Sequence, residues 1–138
     1  MEGASPARLY ATLVGGALVV AGIIGFFYSA SFGSPGEVDD VFGILAVNAW
    51  HNIVHILTGA IGLLVAGYAA RQYALGLGVV YLVVAAWGFI IGSGDSILGF
   101  IPVNTEDNVL HVILGLLGVG AAAATPVTVE RERAAPAT

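Results

Sequence analysis

"HNIVHILTGAIG" at residues 51–62 and "DNVLHVILGLLG" at residues 107–118 hold all three histidines of the chain inside otherwise apolar runs. In each phrase an ionisable residue precedes an asparagine, a histidine follows three positions later, and glycines stand four and seven positions beyond it. With the upstream asparagines included, Asn48, Asn52, His55, Gly59 and Gly62 step by four, three, four and three, as do Asn104, Asn108, His111, Gly115 and Gly118. That spacing keeps every member on one face of an α-helix. Glycine is a poor helix former, yet stripes of small residues let membrane helices approach closely. The reading is two helices, polar toward one end and glycine-lined deeper in, whose stripes face each other or a shared interior.

The likeness extends outward. A shift of 56 residues lays Asp39, Gly43, Val47, Asn48, Asn52 and His55 on Asp95, Gly99, Val103, Asn104, Asn108 and His111. A shift of 63 lays Arg8, Tyr10, Ala11, Gly15, Gly25 and Phe26 on Arg71, Tyr73, Ala74, Gly78, Gly88 and Phe89. Matches among Val, Ala and Gly come cheaply in apolar sequence, but Arg, Tyr, Asp, Asn and His are scarce here. The pattern predicts a duplicated two-helix hairpin, residues 8–69 and 71–125. Two spans return the chain to its starting side, so the copies are expected to be parallel, related by a pseudo-two-fold axis along the membrane normal.

Composition agrees with a membrane setting. The chain is 58% hydrophobic and only 9% charged, with a mean hydropathy of +0.95, whereas soluble domains carry about 25% charged residues. Residues 9–28, 44–69, 73–92 and 109–124 are nearly free of charge. A hydrocarbon core needs roughly 20 apolar residues as helix, and the last segment is the shortest of the four. The expected fold is thus all-α: an integral membrane four-helix bundle of two parallel repeated hairpins, one domain over 1–126, with a polar mobile tail at 127–138. The first segment exceeds a signal-peptide core and is read as a true helix. With four spans, Arg8, Arg71, Arg131 and Arg133 fall on one side, and Glu37, Asp39, Asp40, Asp95, Glu106 and Asp107 on the other. The positive-inside rule then places both termini in the cytoplasm of a plasma-membrane protein. There is no cysteine, which removes thiolate chemistry. No phosphate loop, nucleophile elbow or nucleic-acid-binding patch is present.

His55 and His111 sit at matched depth, roughly 9 Å below the outer boundary by helix rise, with His51 and Asp107 one turn nearer the surface. His51 and His55 are one turn apart on one helix, Asp107 and His111 one turn apart on the other. Three imidazoles and a carboxylate suit a divalent transition metal such as zinc, with Asn48, Asn52, Asn104 and Asn108 as outer partners orienting the rings. An alternative is haem b with His55 and His111 as axial ligands. A third reading is structural: asparagine and histidine hydrogen-bond across membrane helices, and Asn104 with Asp107 forms a capping box at a helix start. Tyr10, Tyr28, Tyr68, Tyr73, Trp50 and Trp87 read as interfacial anchors, Thr58 as bonded to its own helix, and Asp39 and Asp95 as ordering the loops.

The phrases "HNIVHILTGAIGL" and "VNTEDNVLHVILG" resemble those of the small membrane proteins grouped as domain of unknown function 4383, on His51, Asn52, His55, Asn104, Thr105, Asp107, Asn108 and His111. The resemblance implies a four-helix topology and no activity. The sequence therefore describes a non-enzymatic multi-pass protein of the lipid bilayer whose polar seam takes a metal or small ligand. Alternatives are an accessory subunit of a larger membrane complex, or a homo-oligomer, held by that seam, and a haem or proton-relay component of electron transfer.

Overall fold

The computed structural model describes residues 4–127 and 134–136. Most of the expected mobile tail, with Arg131 and Arg133, lies outside the described residues. Four helices form: α1 (Pro6–Phe26), α2 (Ala49–Val65), α3 (Ala70–Ile91) and α4 (Thr105–Ala123). Each start has a local cause. The Ser5 side chain accepts from the Arg8 N–H and Pro6 opens α1, where the missing proline donor costs nothing. The Asn48 side chain accepts from the His51 N–H to cap α2. Asn104 and Asp107 form the expected capping box at α4.

Helices α1, α3 and α4 are long and apolar enough to cross a membrane, while α2 has 17 residues. The apolar stretch at 44–69 thus overstates its helix, because Leu45–Val47 is a strand instead. A short antiparallel hairpin precedes each capped helix: β1 (Asp39–Val41) pairs with β2 (Leu45–Val47), and β3 (Ser96–Ile97) with β4 (Ile101–Pro102). Their turns match in detail. Phe42 and Gly43 take φ of 53° and 71°, Leu98 and Gly99 take 55° and 79°, and the glycines enter that region without a Cβ penalty. Asp39 Oδ1 accepts from the Asp40 N–H and Asp95 Oδ1 from the Ser96 N–H, both at 2.7 Å, which is the loop-ordering role expected of them.

The glycine stripes do not face each other. Helix α1 packs along α2, and α3 along α4, each pair antiparallel. A Cβ on Gly59 would lie 2.5 Å from Gly15 O and 2.8 Å from Val19 N; one on Gly78 would lie 2.7 Å from Val119 N and 2.9 Å from Gly115 O. Gly59 and Gly115 are therefore spent inside their own helix pairs, where backbones approach closely, while Gly62 and Gly118 turn to the shared interior, a Cβ there meeting the Tyr73 and Tyr10 rings of the other pair. Between the pairs lies a core of alanines and larger residues, Ala7, Tyr10, Ala11, Leu18, Ala70, Ala74, Leu77 and Tyr81 among them. The outer helix faces are apolar and uncovered, with Phe27, Leu64 and Ile90 each more than 70% exposed.

Tyr10 and Tyr73 are not interfacial anchors. Tyr10 is buried; its hydroxyl donates to Leu114 O at 2.8 Å, and the Tyr73 hydroxyl donates to Thr58 O at 3.0 Å. These are reciprocal ties, the first helix of each pair to the second helix of the other. Thr58 itself donates to Val54 O at 2.7 Å within its own helix, as expected. Tyr10→Phe is expected to cost about 1 kcal/mol, the net value of one such bond. Tyr73→Phe should cost a similar amount, read as a shift of the unfolding midpoint in mixed detergent–SDS micelles.

Candidate functional site

At the hairpin end of the bundle α2 and α4 bring their first turns together. Two reciprocal hydrogen bonds fix this approach: Asn48 Nδ2 donates to Phe100 O at 2.6 Å, and Asn104 Nδ2 donates to Ile44 O at 2.6 Å. Each capping asparagine thus grips the turn of the opposite hairpin. Asp107 adds a third tie, its Oδ2 accepting from the buried Ala46 N–H at 3.0 Å and from the Asn104 N–H at 3.1 Å.

Inside this frame the three histidines converge. One ligand nitrogen from each of His51, His55 and His111 lies within 4.8 Å of the others. His51 and His111 are buried and His55 half-buried. The His51 and His55 rings meet edge-on at 4.5 Å between centroids, and His51 lies 6.3 Å from His111. Tyr81, which sequence reasoning passed over, stacks on His111 at 4.9 Å and 15°. Its only sequence signal was a phenol in mid-helix, away from either interface. Burial leaves two ring nitrogens without partners, Nδ1 of His51 and Nδ1 of His111.

The other residues of the expected set do different work. Asp107 is outside the imidazole group, and its Oδ2 accepts from the two backbone donors. Asn48 and Asn104 donate to carbonyls of the loops, and Asn52 Nδ2 donates to Ser29 O at 2.9 Å. The Oδ1 atoms of Asn52 and Asn108 are buried without a partner, lying where a Cβ on Gly25 or Gly88 would fall. A glycine offers those oxygens its Cα hydrogens, a weak but recurrent contact. Asn48, Asn52 and Asn104 therefore fix helix starts and helix contacts, not ring orientation.

These features define a small all-α protein with three membrane-length apolar helices and a largely buried three-histidine cluster. The model of a domain of unknown function (DUF4383) matches residues 8–124, and the chain belongs to that family, as the two histidine phrases implied. No curated protein and no solved structure matches the chain.

Proposed function

We propose that this protein is a four-span integral membrane protein that holds a divalent first-row transition metal, zinc fitting best, on His51, His55 and His111. The observation that carries the reading is the mutual approach of three imidazole nitrogens within 4.8 Å. Around a tetrahedral zinc with bonds near 2.0–2.1 Å, donors stand roughly 3.3 Å apart, so modest ring rotation closes the set. The unpartnered Nδ1 atoms of His51 and His111 support it, because a buried polar atom without a partner is costly and a ligand relieves that cost. Three protein ligands leave a fourth position open. Haem fits less well: the His51 ring, 4.5 Å from that of His55, occupies space a macrocycle between His55 and His111 would need.

The metal would lie between two copies of one hairpin. The paired asparagine bonds, the paired tyrosine bonds and the matched turns support duplication and a pseudo-two-fold axis, since each obeys the offsets of 56 and 63 residues. Arg8 and Arg71 at one end, and Glu37, Asp39, Asp40, Asp95 and Glu106 at the other, favour cytoplasmic termini in a plasma membrane. Elemental analysis of protein purified after zinc loading tests the site. About one zinc per chain is expected, falling below a tenth of that in His55→Ala and His111→Ala while their helicity is retained. Equal zinc content in wild type and both variants would refute the assignment.

A further inference from the structure

Two cavities flank the imidazoles, one in each seam between the helix pairs. The seam between α2 and α3 encloses about 90 Å³, with Val80 and Val84 on its wall. The seam between α1 and α4 encloses about 270 Å³, with Ala17 and Ala21 on its wall. The offset of 63 residues lays Ala17 on Val80 and Ala21 on Val84. The branched residues fill one seam; the alanines leave the other open. His55, Tyr81 and His111 line both cavities.

The larger cavity has a floor, a roof and a mouth. Below it the Tyr10 hydroxyl ties α1 to Leu114 O, and Leu45 of β2 lines its other end. Its mouth lies on the side of the bundle, where the lining residue Leu13 is 68% exposed. The wall is apolar except at the inner end, where His55, Tyr81, Asp107 and His111 gather. The backbone donors to Asp107 both reach its Oδ2, so the imidazoles, the phenol and Asp107 Oδ1 remain for a ligand.

We propose that this cavity binds a small membrane-dissolved molecule with an apolar ring body and one hydroxyl group, a phenol or naphthol in class, its oxygen directed at His55 and His111. A cavity of 150 Å³ takes one benzene ring, so the volume here suits two fused rings. Polar partners cluster at one end only, so one oxygen is matched, whereas a quinone's second carbonyl would be stranded against leucines. A hydrocarbon chain would fill the space but leave the ring nitrogens facing methylenes. The lateral mouth admits what the bilayer concentrates. This inference does not rest on the metal, because imidazoles bond a hydroxyl directly and a zinc on them would bond it more tightly.

The test is equilibrium dialysis of β-naphthol into micelles holding the full chain, against empty micelles, with the protein zinc-free and zinc-loaded. Saturable binding is expected in both states. Ala17→Leu/Ala21→Leu should weaken it at least tenfold while leaving zinc uptake unchanged, whereas Val80→Ala/Val84→Ala, which opens the other seam, should not weaken it. Naphthalene should bind three- to tenfold more weakly than β-naphthol, the range for one lost hydrogen bond. Naphthalene binding as tightly would mean a slot for acyl chains and would overturn the proposal. So would β-naphthol binding that is unsaturable or indifferent to the leucines. Failure of the metal reading shows separately, as β-naphthol binding without zinc uptake.

Discussion

Gly25→Ala is expected to destabilise the fold by about 2–4 kcal/mol, and much of that loss is expected to vanish when Asn52 is also alanine. The added Cβ would overlap the Asn52 Oδ1. Asn52 is fully buried, and its Nδ2 is tied to Ser29 O at 2.9 Å. Relieving the clash means either parting α1 from α2 or expelling the amide from its bond. Overpacking costs about 1–3 kcal/mol, and an amide left without partners about as much again. In the double variant neither penalty remains, so the two substitutions should couple strongly. Gly88→Ala against Asn108 should repeat the result, since that Cβ would meet the Asn108 Oδ1 in the same way. Gly16→Ala provides the opposite sign: nothing lies within 4 Å of its Cβ position, so only helix propensity changes and a gain of about 0.5–1 kcal/mol is expected. SDS-titration midpoints for these variants, with Asn52→Ala alone to complete the cycle, measure all of this, and additive losses at Gly25 and Asn52 would contradict the contact.

Asp107→Ala is expected to cost about 2–3 kcal/mol and to leave zinc uptake unchanged. The substitution removes the acceptor for the Ala46 N–H, 3.0 Å away and buried, and for the Asn104 N–H that closes the capping box. A lost cap is worth about 1 kcal/mol, and a stranded buried donor about 1–3 kcal/mol. Asp107→Asn keeps one acceptor oxygen at the same place and should cost about half as much. The pair of measurements separates architecture from ligation: if Asp107→Ala abolished zinc uptake without loss of stability, the carboxylate would belong to the metal set after all.

Both predictions concern residues whose chemistry was visible in the chain but whose partners were not. The four helices, the capping box at Asn104 and Asp107, and the shared helix face of each histidine phrase follow from local rules. Apolar length, a capping side chain and a spacing of four and three residues are each decided within a few turns of chain. The family was legible for the same reason, because its phrases are local. The two β-hairpins were hidden because Leu45–Val47 is as apolar as the helix that follows it, and hydropathy does not separate a short strand from a helical turn.

What the sequence determined by itself was which residues share a helix face and at what height. Only the tertiary structure decided which face meets which. Gly59 and Gly115 turned to α1 and α3 of their own pairs, while Gly62 and Gly118 took the Tyr73 and Tyr10 rings arriving from across the bundle. Tyr10 and Tyr73 left the interface because carbonyls of Leu114 and Thr58 came within reach across the bundle. His51, His55 and His111 converged, while Asp107 turned its Oδ2 to a buried N–H of Ala46 from a distant hairpin. Such competition between partners far apart in the chain has no local signature, since it is settled by geometry that exists only once the helices have packed.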